Sequence, residues 1–394
     1  MKKILFDFLS LEDKIINGGA LFVKTVLERL IKEDVEISGV CCNSDNLSHE
    51  IKNLVANHKI NLIQIKKGWT EYVNSCNFDM FFVGIAQRYN LIDLTGIHCK
   101  IYIVCHDIVD IIMYRAGLSY NYETHHKIFT ITQRKHPKLS CYKLMVKRII
   151  KEKSLLGLIS DEKIIRRLNY VNFAKLIKQA NVTIITVSNY TKRSLEYFFE
   201  DIANPIKVFY CPVMVRHYTN ERVSEKVKTI SEGKKYFLIL SANRYNKNIA
   251  VFLDQFVKFN KKMNGEFCAV VLGADKLSGD DFIALNRVND LELKCLMQNA
   301  YCLIYPSLGE GFGVPPIEAM SYGTPAIVAF DTSIPEICGD EVLYFNASYR
   351  EDLYNKEFEL VNDYEKYVAI AKKVASAVMQ KQNEDFERLV KFCL

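Results

Sequence analysis

A strand, a glycine-rich loop and a short helix follow one another between residues 302 and 325, and this stretch constrains the fold most strongly. Residues Cys302–Tyr305 are apolar and predict a buried strand. Three glycines then occur within residues 309–313. Pro316 suits the first position of a helix, where its missing N–H costs nothing, and Gly323 suits the end of that helix. The order predicts an α/β sheet with a helix N-terminus able to bind an anion.

Two carboxylates lie in this stretch, Glu310 in the loop and Glu318 in the first turn of the predicted helix. A carboxylate beside a phosphate would repel it, so we expect another task, such as accepting hydrogen bonds from sugar hydroxyls. Each glutamate alone has a plainer interpretation, since Glu318 would complement the helix dipole and Glu310 would be solvated. The pair, inside one frame of glycines and prolines, favours a sugar site.

Residues Pro306–Val328 resemble the glutamate-x7-glutamate signature of glycosyltransferase family 4, also called glycosyl transferases group 1. The resemblance implies a retaining, metal-independent enzyme of the α/β class with the GT-B fold, in which two Rossmann-like domains face each other across a cleft. It makes Glu310 a catalytic candidate that orients the sugar, and Glu318 the group that binds the ribose hydroxyls. The donor-binding residues that it implies in the loop are Gly311, Phe312, Gly313 and Val314.

A length of 394 residues predicts two domains, and the alternation of strands with helices predicts parallel sheets. The predicted organisation is an N-terminal acceptor-side domain at 1–213 with a basic helical insertion at about 111–180, a linker at 214–233, a donor domain at 234–375, and a C-terminal helix at 376–394. In GT-B enzymes such a last helix returns to the first domain.

Several classes of protein are disfavoured by composition. The 12 cysteines are scattered without a Cys-x-x-Cys pair, which disfavours a zinc site and favours a reducing compartment. No run of eighteen apolar residues occurs, so no membrane-spanning helix is predicted. Asp7 follows the start too closely for a signal peptide. We therefore expect a cytoplasmic protein.

The net charge of +6 is unevenly distributed. Residues 134–167 hold eleven Lys or Arg against three Asp or Glu, a local charge of +8. One interpretation is a surface that meets anionic lipid or a lipid-diphosphate acceptor, which would make the protein peripheral on the inner face of the membrane. The other is a solvated helix face. No nucleic-acid recognition motif accompanies the charge, so nucleic acid is not an expected partner.

His106 directly follows the predicted strand Ile101–Cys105. Ligands of open α/β sheets bind at the carboxyl ends of strands, and the family resemblance implies that His106 contacts the donor sugar near the reacting carbon. Gly18 and Gly19 lie in a predicted loop after the first strand. In the family such glycines let backbone amides approach the donor diphosphate. A structural histidine and a plain tight turn are the alternatives.

Arg244 and Lys247 follow the predicted strand Tyr236–Leu240 and match the family positions that bind the donor phosphates. Cations there would stabilise the charge that grows on a leaving nucleoside diphosphate; surface solubility is the alternative. Val288 lies in a segment that resembles the family's contact with the nucleotide base, which is made by backbone.

The sequence thus predicts a transferase that moves a sugar from a nucleotide-diphosphate sugar to a glycan or lipid-diphosphate-linked acceptor in surface glycan synthesis. No cofactor or metal is expected, since no Asp-x-Asp element occurs. Two alternatives stay open: a catalytically silent nucleotide-sugar-binding partner of another transferase, and another GT-B enzyme such as a nucleotide-sugar epimerase. The sugar, base, acceptor, linkage and oligomeric state are not predicted.

Overall fold

The computed structural model consists of two compact units. The first comprises Met1–Met214 with Asp385–Leu394, and the second comprises Val215–Glu384. The structure describes residues 1–12, 18–89, 92–109, 171–199, 201–214, 218, 221–241, 245–274, 277 and 279–394. Arg244 and the basic segment 134–167 lie outside the described residues, as does most of the predicted insertion.

The described part of the first unit contains a parallel sheet of seven strands. They are β1 (Lys2–Asp7), β2 (Val35–Cys41), β3 (Asn61–Gln64), β4 (Met80–Val83), β5 (Lys100–Cys105), β6 (Val182–Thr186) and β7 (Ile206–Val208). Their order is β3-β2-β1-β4-β5-β6-β7, and every pairing is parallel. The chain adds strands on one side of β1 and then crosses to its other side for β4. The strand order therefore reverses between β1 and β4.

Helices accompany this sheet because apolar residues recur at helical spacing between the strands. The described helices of the first unit include α1 (Gly18–Leu30), α2 (His49–Asn57), α3 (Trp69–Ser75) and α4 (Asn189–Phe198), and residues 171–176 are also helical. Strand β4 is buried along its whole length, as expected for a central strand covered on both faces. Short 3₁₀ turns occur at Leu9–Leu11, Ser44–Asn46 and Ala86–Tyr89.

The described part of the second unit contains a parallel sheet of six strands. They are β8 (Tyr236–Ile239), β9 (Cys268–Leu272), β10 (Phe282–Leu285), β11 (Cys302–Tyr305), β12 (Ala326–Ala329) and β13 (Leu343–Phe345). Their order is β10-β9-β8-β11-β12-β13, with every pairing parallel. Here the order reverses between β8 and β11. The predicted α/β class with two parallel sheets is confirmed.

Seven helices are described from residue 225 onward. They are α5 (Glu225–Ser231), α6 (Ile249–Lys262), α7 (Asp290–Asn299), α8 (Val314–Ser321), α9 (Ile334–Cys338), α10 (Arg350–Asn362) and α11 (Tyr364–Cys393). A 3₁₀ turn at Tyr245–Lys247 precedes α6. None of the helices in the described ranges is both long enough and apolar enough to cross a membrane.

The segment 214–233, which the sequence suggested as a linker, contains helix α5. The side chains of Val227 and Ile230 on this helix are buried. The segment's neighbours are in the second unit, since Ser224 N donates to Glu292 Oε1 at 3.1 Å. A seven-residue helix with two apolar contacts has too weak a pattern to be recognised from sequence.

The last ten residues of the chain belong to the first unit. Tyr210 N donates to Asp385 Oδ2 at 3.0 Å, and the ring of Phe392 stacks on that of Tyr102 with centroids 4.7 Å apart. Asp385 is 4% exposed. The end of α11 is therefore an integral part of the core of that unit.

Candidate functional site

In the second unit, two loops meet where the strand order reverses. Strands β8 and β11 are parallel neighbours, with Phe237 opposite Cys302. The turn after β8 and the glycine loop after β11 are joined by Leu308 N donating to Asn246 O at 2.8 Å and by Asn246 Nδ2 donating to Gly309 O at 2.9 Å. In open α/β sheets, ligands bind at this topological switch point.

Lys247 and Glu310 form an ion pair across this junction, with Nζ and Oε1 2.6 Å apart. Their side chains are 5% and 16% exposed, so the pair is largely removed from water. Lys247 Nζ also donates to Tyr305 OH at 2.7 Å and lies 4.3 Å from the centroid of that ring. Ser307 Oγ donates to Glu310 Oε1. The structure thus brings together Lys247, which the sequence assigned to the donor phosphates, and Glu310, which the sequence assigned to the sugar.

The N-terminus of α8 depends on Gly313. Its φ is +97°, a region that favours glycine, and a Cβ here would lie 2.4 Å from Ile334 Cδ1. The helix begins at Val314 rather than at Pro316, because both prolines fit within its first turn, where N–H groups have no helical acceptor. Glu318 is consequently the fifth residue of α8 and lies beyond the first turn in which it was predicted. It is half-buried.

The remaining donor-binding candidates of this unit occupy different places. Gly311 and Phe312 are buried in the loop, and Val314 is half-buried at the start of α8. Val288 follows β10 and is also half-buried. Since β9 separates β10 from β8 in the sheet, Val288 lies at the same edge as Lys247 but two strands away.

His106 follows β5 in the first unit, as predicted, and is held by the backbone of Gly84. His106 Nε2 lies 3.0 Å from Gly84 O, and the imidazole packs edge-to-face on Phe22 with centroids 4.8 Å apart. Because a carbonyl oxygen can only accept, Nε2 carries the proton and Nδ1 retains its lone pair. Burial lowers the pKa of His106 to about 4. The imidazole is therefore neutral at pH 7 and able to accept a hydrogen bond.

Asp7 is a buried carboxylate that the sequence did not identify as part of a site. It is 0% exposed at the end of β1, and burial raises its pKa. It accepts from Gly84 N at 2.9 Å, from Tyr89 OH at 2.8 Å, and from both N and Oγ of Ser10. The N–H and the C=O of Gly84 thus link Asp7 to His106 at the switch point between β1 and β4. An acidic residue closing an apolar first strand is a signal that could have found it.

Gly18 and Gly19 are the first two residues of α1 and do not form the predicted loop. Gly18 is exposed, and a Cβ added to it would meet nothing within 4 Å. Helix α1 lies close to the end of β4, because a Cβ at Gly84 would come within 2.3 Å of Val23 Cγ2. The two glycines therefore lie at the N-terminus of α1.

The chain is similar to known proteins in sequence and in fold. Residues 220–376 match the family model described as glycosyl transferases group 1. Over 176 residues the chain is 30% identical to the O-antigen chain mannosyltransferase RfbU of Salmonella typhimurium. This alignment covers 41% of this chain and 46% of that protein. Over 56 residues the chain is 46% identical to O-antigen chain mannosyltransferase B of Escherichia coli. That alignment covers 14% of this chain and 15% of that protein. The chain thus spans less than half the length of these relatives.

The fold resembles that of Anabaena HepE, whose crystal structure contains UDP and glucose. The TM-score is 0.62 at 13% sequence identity, and the alignment covers 100% of this chain and 99% of that chain. At this identity the likeness concerns the fold alone.

Proposed function

We propose, from the premise that residues 220–376 belong to the glycosyl transferases group 1 family within a chain of GT-B fold, that this protein is a glycosyltransferase. It moves a sugar from a nucleotide-diphosphate sugar to a glycan or lipid-linked acceptor in surface polysaccharide synthesis. The similarity to O-antigen chain mannosyltransferases supports this acceptor class and makes mannose the first donor sugar to test. UDP-glucose is the second, from the ligands of HepE.

The ion pair of Lys247 and Glu310 carries the proposal. A nucleotide sugar presents an anionic diphosphate next to a ring of hydroxyls, so its binding site needs a cation beside a hydrogen-bond acceptor. The two groups lie 2.6 Å apart at the switch point of the sheet in the second unit. When the glycosidic bond breaks, negative charge grows on the diphosphate and positive charge on the sugar. Lys247 would stabilise the first and Glu310 the second.

The proposed transfer is retaining and needs no metal. The bond from the anomeric carbon to the diphosphate oxygen breaks, and the acceptor oxygen bonds to the same face of the sugar. The acceptor's proton passes to an oxygen of the departing diphosphate. Arg244, Lys247 and the N-terminus of α8 after Gly313 would share the charge that a metal ion neutralises in other transferases.

The other site residues have separate proposed roles. Neutral His106 would accept a sugar hydroxyl through Nδ1, since Nε2–H is engaged by Gly84. Gly18 and Gly19 would supply backbone amides to the diphosphate. Glu318 would accept the ribose hydroxyls, and the backbone at Val288 would face the base. The basic segment 134–167 would hold the enzyme on the inner face of the cell membrane.

The test is a transfer assay with GDP-mannose and UDP-glucose, with and without EDTA, on the full chain. Wild type should release nucleoside diphosphate, EDTA should leave the rate unchanged, and NMR should show that the anomeric configuration is retained. Glu310→Gln should lower the rate by about 100-fold. Glu266→Gln, which alters an exposed pair with Lys235 in the same unit, is the matched control and should not.

Each contrary result identifies a different error. Donor binding without turnover of any donor would favour a silent partner. Change of the sugar without its transfer would favour an epimerase. Loss of activity in EDTA, restored by Mg²⁺, would contradict the metal-free mechanism.

A further inference from the structure

The loop after β12 binds both peptide groups of Glu310. Glu310 N donates to Thr332 Oγ1 at 3.1 Å, and Ser333 Oγ donates to Glu310 O at 3.0 Å. Ser333 is 0% exposed. The two strands that precede these loops, β11 and β12, are parallel neighbours. One residue of the glycine loop is therefore fixed, through both its N–H and its C=O, by two successive hydroxyl residues.

The backbone at Thr332 is unusual. Its φ is +47°, in the left-handed region that a β-branched residue rarely adopts. Such a conformation persists only where the surroundings determine it, and it concentrates at functional sites. Here the chain is bonded on both sides, by Asp331 N donating to Ala329 O at 2.9 Å and by Ile334 N donating to Asp331 O at 3.1 Å. The turn is held in a costly shape that brings the hydroxyl of Thr332 to Glu310.

The side chain of Glu310 has one oxygen engaged and one available. Oε1 accepts from Lys247 Nζ and from Ser307 Oγ. Within the described residues, Oε2 has no hydrogen-bond partner, and the side chain is 16% exposed. The backbone of Glu310 is held by Thr332 and Ser333, and Oε1 is held by Lys247 and Ser307, so Oε2 has a defined position beside Lys247. This is the oxygen that could accept a ligand hydroxyl.

We propose that Thr332 and Ser333 form a clamp that positions Glu310 for the donor sugar. The inference rests on the proposed function for the identity of the ligand, but not for the clamp itself. Thr332 and Ser333 are positioning residues, since they act through Glu310. Small displacements of a positioned group cost large factors in rate, so the clamp should matter beyond its own hydrogen bonds.

Hydrogen–deuterium exchange of the peptide that contains Glu310 tests the clamp directly. Thr332→Val keeps the shape of the side chain and removes the acceptor, so the Glu310 amide should exchange about tenfold faster or more. Thr332→Ser keeps the hydroxyl and should exchange like wild type. Unchanged exchange in Thr332→Val would overturn the clamp.

Thr324→Val is the matched control at the other end of β12. Thr324 is 3% exposed, and its hydroxyl donates to Met297 O at 2.7 Å. The same substitution there also removes a buried hydrogen bond but should leave exchange at Glu310 unchanged. If Thr332→Val does not fold, Ser333→Ala replaces it, because that variant removes the bond to Glu310 O and leaves Thr332 in place.

Binding separates positioning from general destabilisation. Thr332→Val should weaken the Kd for UDP-glucose or GDP-mannose about fivefold or more, while the Kd for UDP or GDP stays within about twofold, because Glu310 faces the sugar. Equal weakening for nucleotide sugar and nucleoside diphosphate would contradict the positioning role. If wild type binds none of these ligands, the proposed function fails, but the exchange experiment still shows whether Thr332 holds the backbone of Glu310.

Discussion

Replacing Lys247 by Met and Glu310 by Gln, singly and together, measures how strongly their ion pair stabilises the second unit. Both replacements keep most of the side-chain volume. The two charged atoms are 2.6 Å apart, and the side chains are 5% and 16% exposed. Each single variant leaves one charge largely buried without its partner, and the double variant leaves neither.

The expected coupling follows from this burial. At an effective dielectric constant of 20, two charges at this distance attract by about 6 kcal/mol, but desolvation offsets much of it. Loss of one partner of a fully buried pair costs about 3–5 kcal/mol. Glu310 keeps some solvent, and Lys247 keeps the hydroxyl and ring of Tyr305. We therefore expect about 2–3 kcal/mol for each single variant and a coupling energy of about 2 kcal/mol.

The assay has to report the second unit by itself. The one Trp of the chain, Trp69, lies on α3 in the first unit, so its fluorescence follows that unit. A single unfolding free energy is not defined for a chain of two units. Native-state hydrogen exchange of peptides from β8 and β11, measured in increasing urea, gives the stability of the second unit.

The pair of Lys235 and Glu266 provides the matched control. It lies in the same unit with a similar distance of 2.8 Å, and its lysine is also near an aromatic ring, 5.5 Å from the centroid of Tyr301. Its side chains are 56% and 46% exposed, so a coupling energy below about 1 kcal/mol is expected. If the two cycles give equal coupling, burial is not what gives the Lys247–Glu310 pair its strength.

Three further substitutions test other parts of the structure. Gly313→Ala should destabilise the second unit by about 2–4 kcal/mol, whereas Gly265→Ala, with a φ of +72° but open space at Cβ, should cost about 1 kcal/mol; equal costs would contradict the predicted clash. Burial lowers the pKa of His106 to about 4, so the unfolded chain binds more protons than the folded chain between pH 6.5 and 4. The free energy of unfolding therefore falls as the pH is lowered through this range, by up to about 3 kcal/mol. Urea unfolding of His106→Gln, followed by the fluorescence of Trp69 in the same unit, should show a smaller fall in stability between pH 7 and 4, and an identical fall would refute this origin. Burial raises the pKa of Glu357 far above its usual range, and neither carboxyl oxygen has a partner among the described residues. The stability that the protonated Glu357 side chain gives the folded state is therefore present at low pH and lost as pH rises. Glu357→Gln should therefore gain stability over wild type at pH 8 and not at pH 4, and a gain independent of pH would contradict the assignment.

The elements with strong local patterns could be predicted from the sequence. Strand Cys302–Tyr305 has the bounds that its residues predict, because an apolar run is a property of neighbouring positions. The glycine loop with Glu310 was recognisable for the same reason, since its glycines, prolines and carboxylates lie within twenty residues. The start of α8 was misplaced by two residues, because a proline is equally acceptable anywhere in the first turn.

The pairs that give these residues a chemical setting were not predictable. Asp7 and His106 both bond the backbone of Gly84 only because β1, β4 and β5 are consecutive in the sheet. Thr332 reaches Glu310 only because β12 pairs with β11. Strand order depends on which strands bury one another's surfaces over long sequence separations, and no local pattern encodes it.

Residue types, the alternation of strands with helices and the position of the glycine loop follow from the order of amino acids, since propensity and periodicity act over a few residues. Lys247 and Glu310 are sixty-three residues apart, and they meet because the chain crosses from β10 to the far side of β8 to form β11. That crossing creates the switch point, and it converts two separate local signals into one buried ion pair.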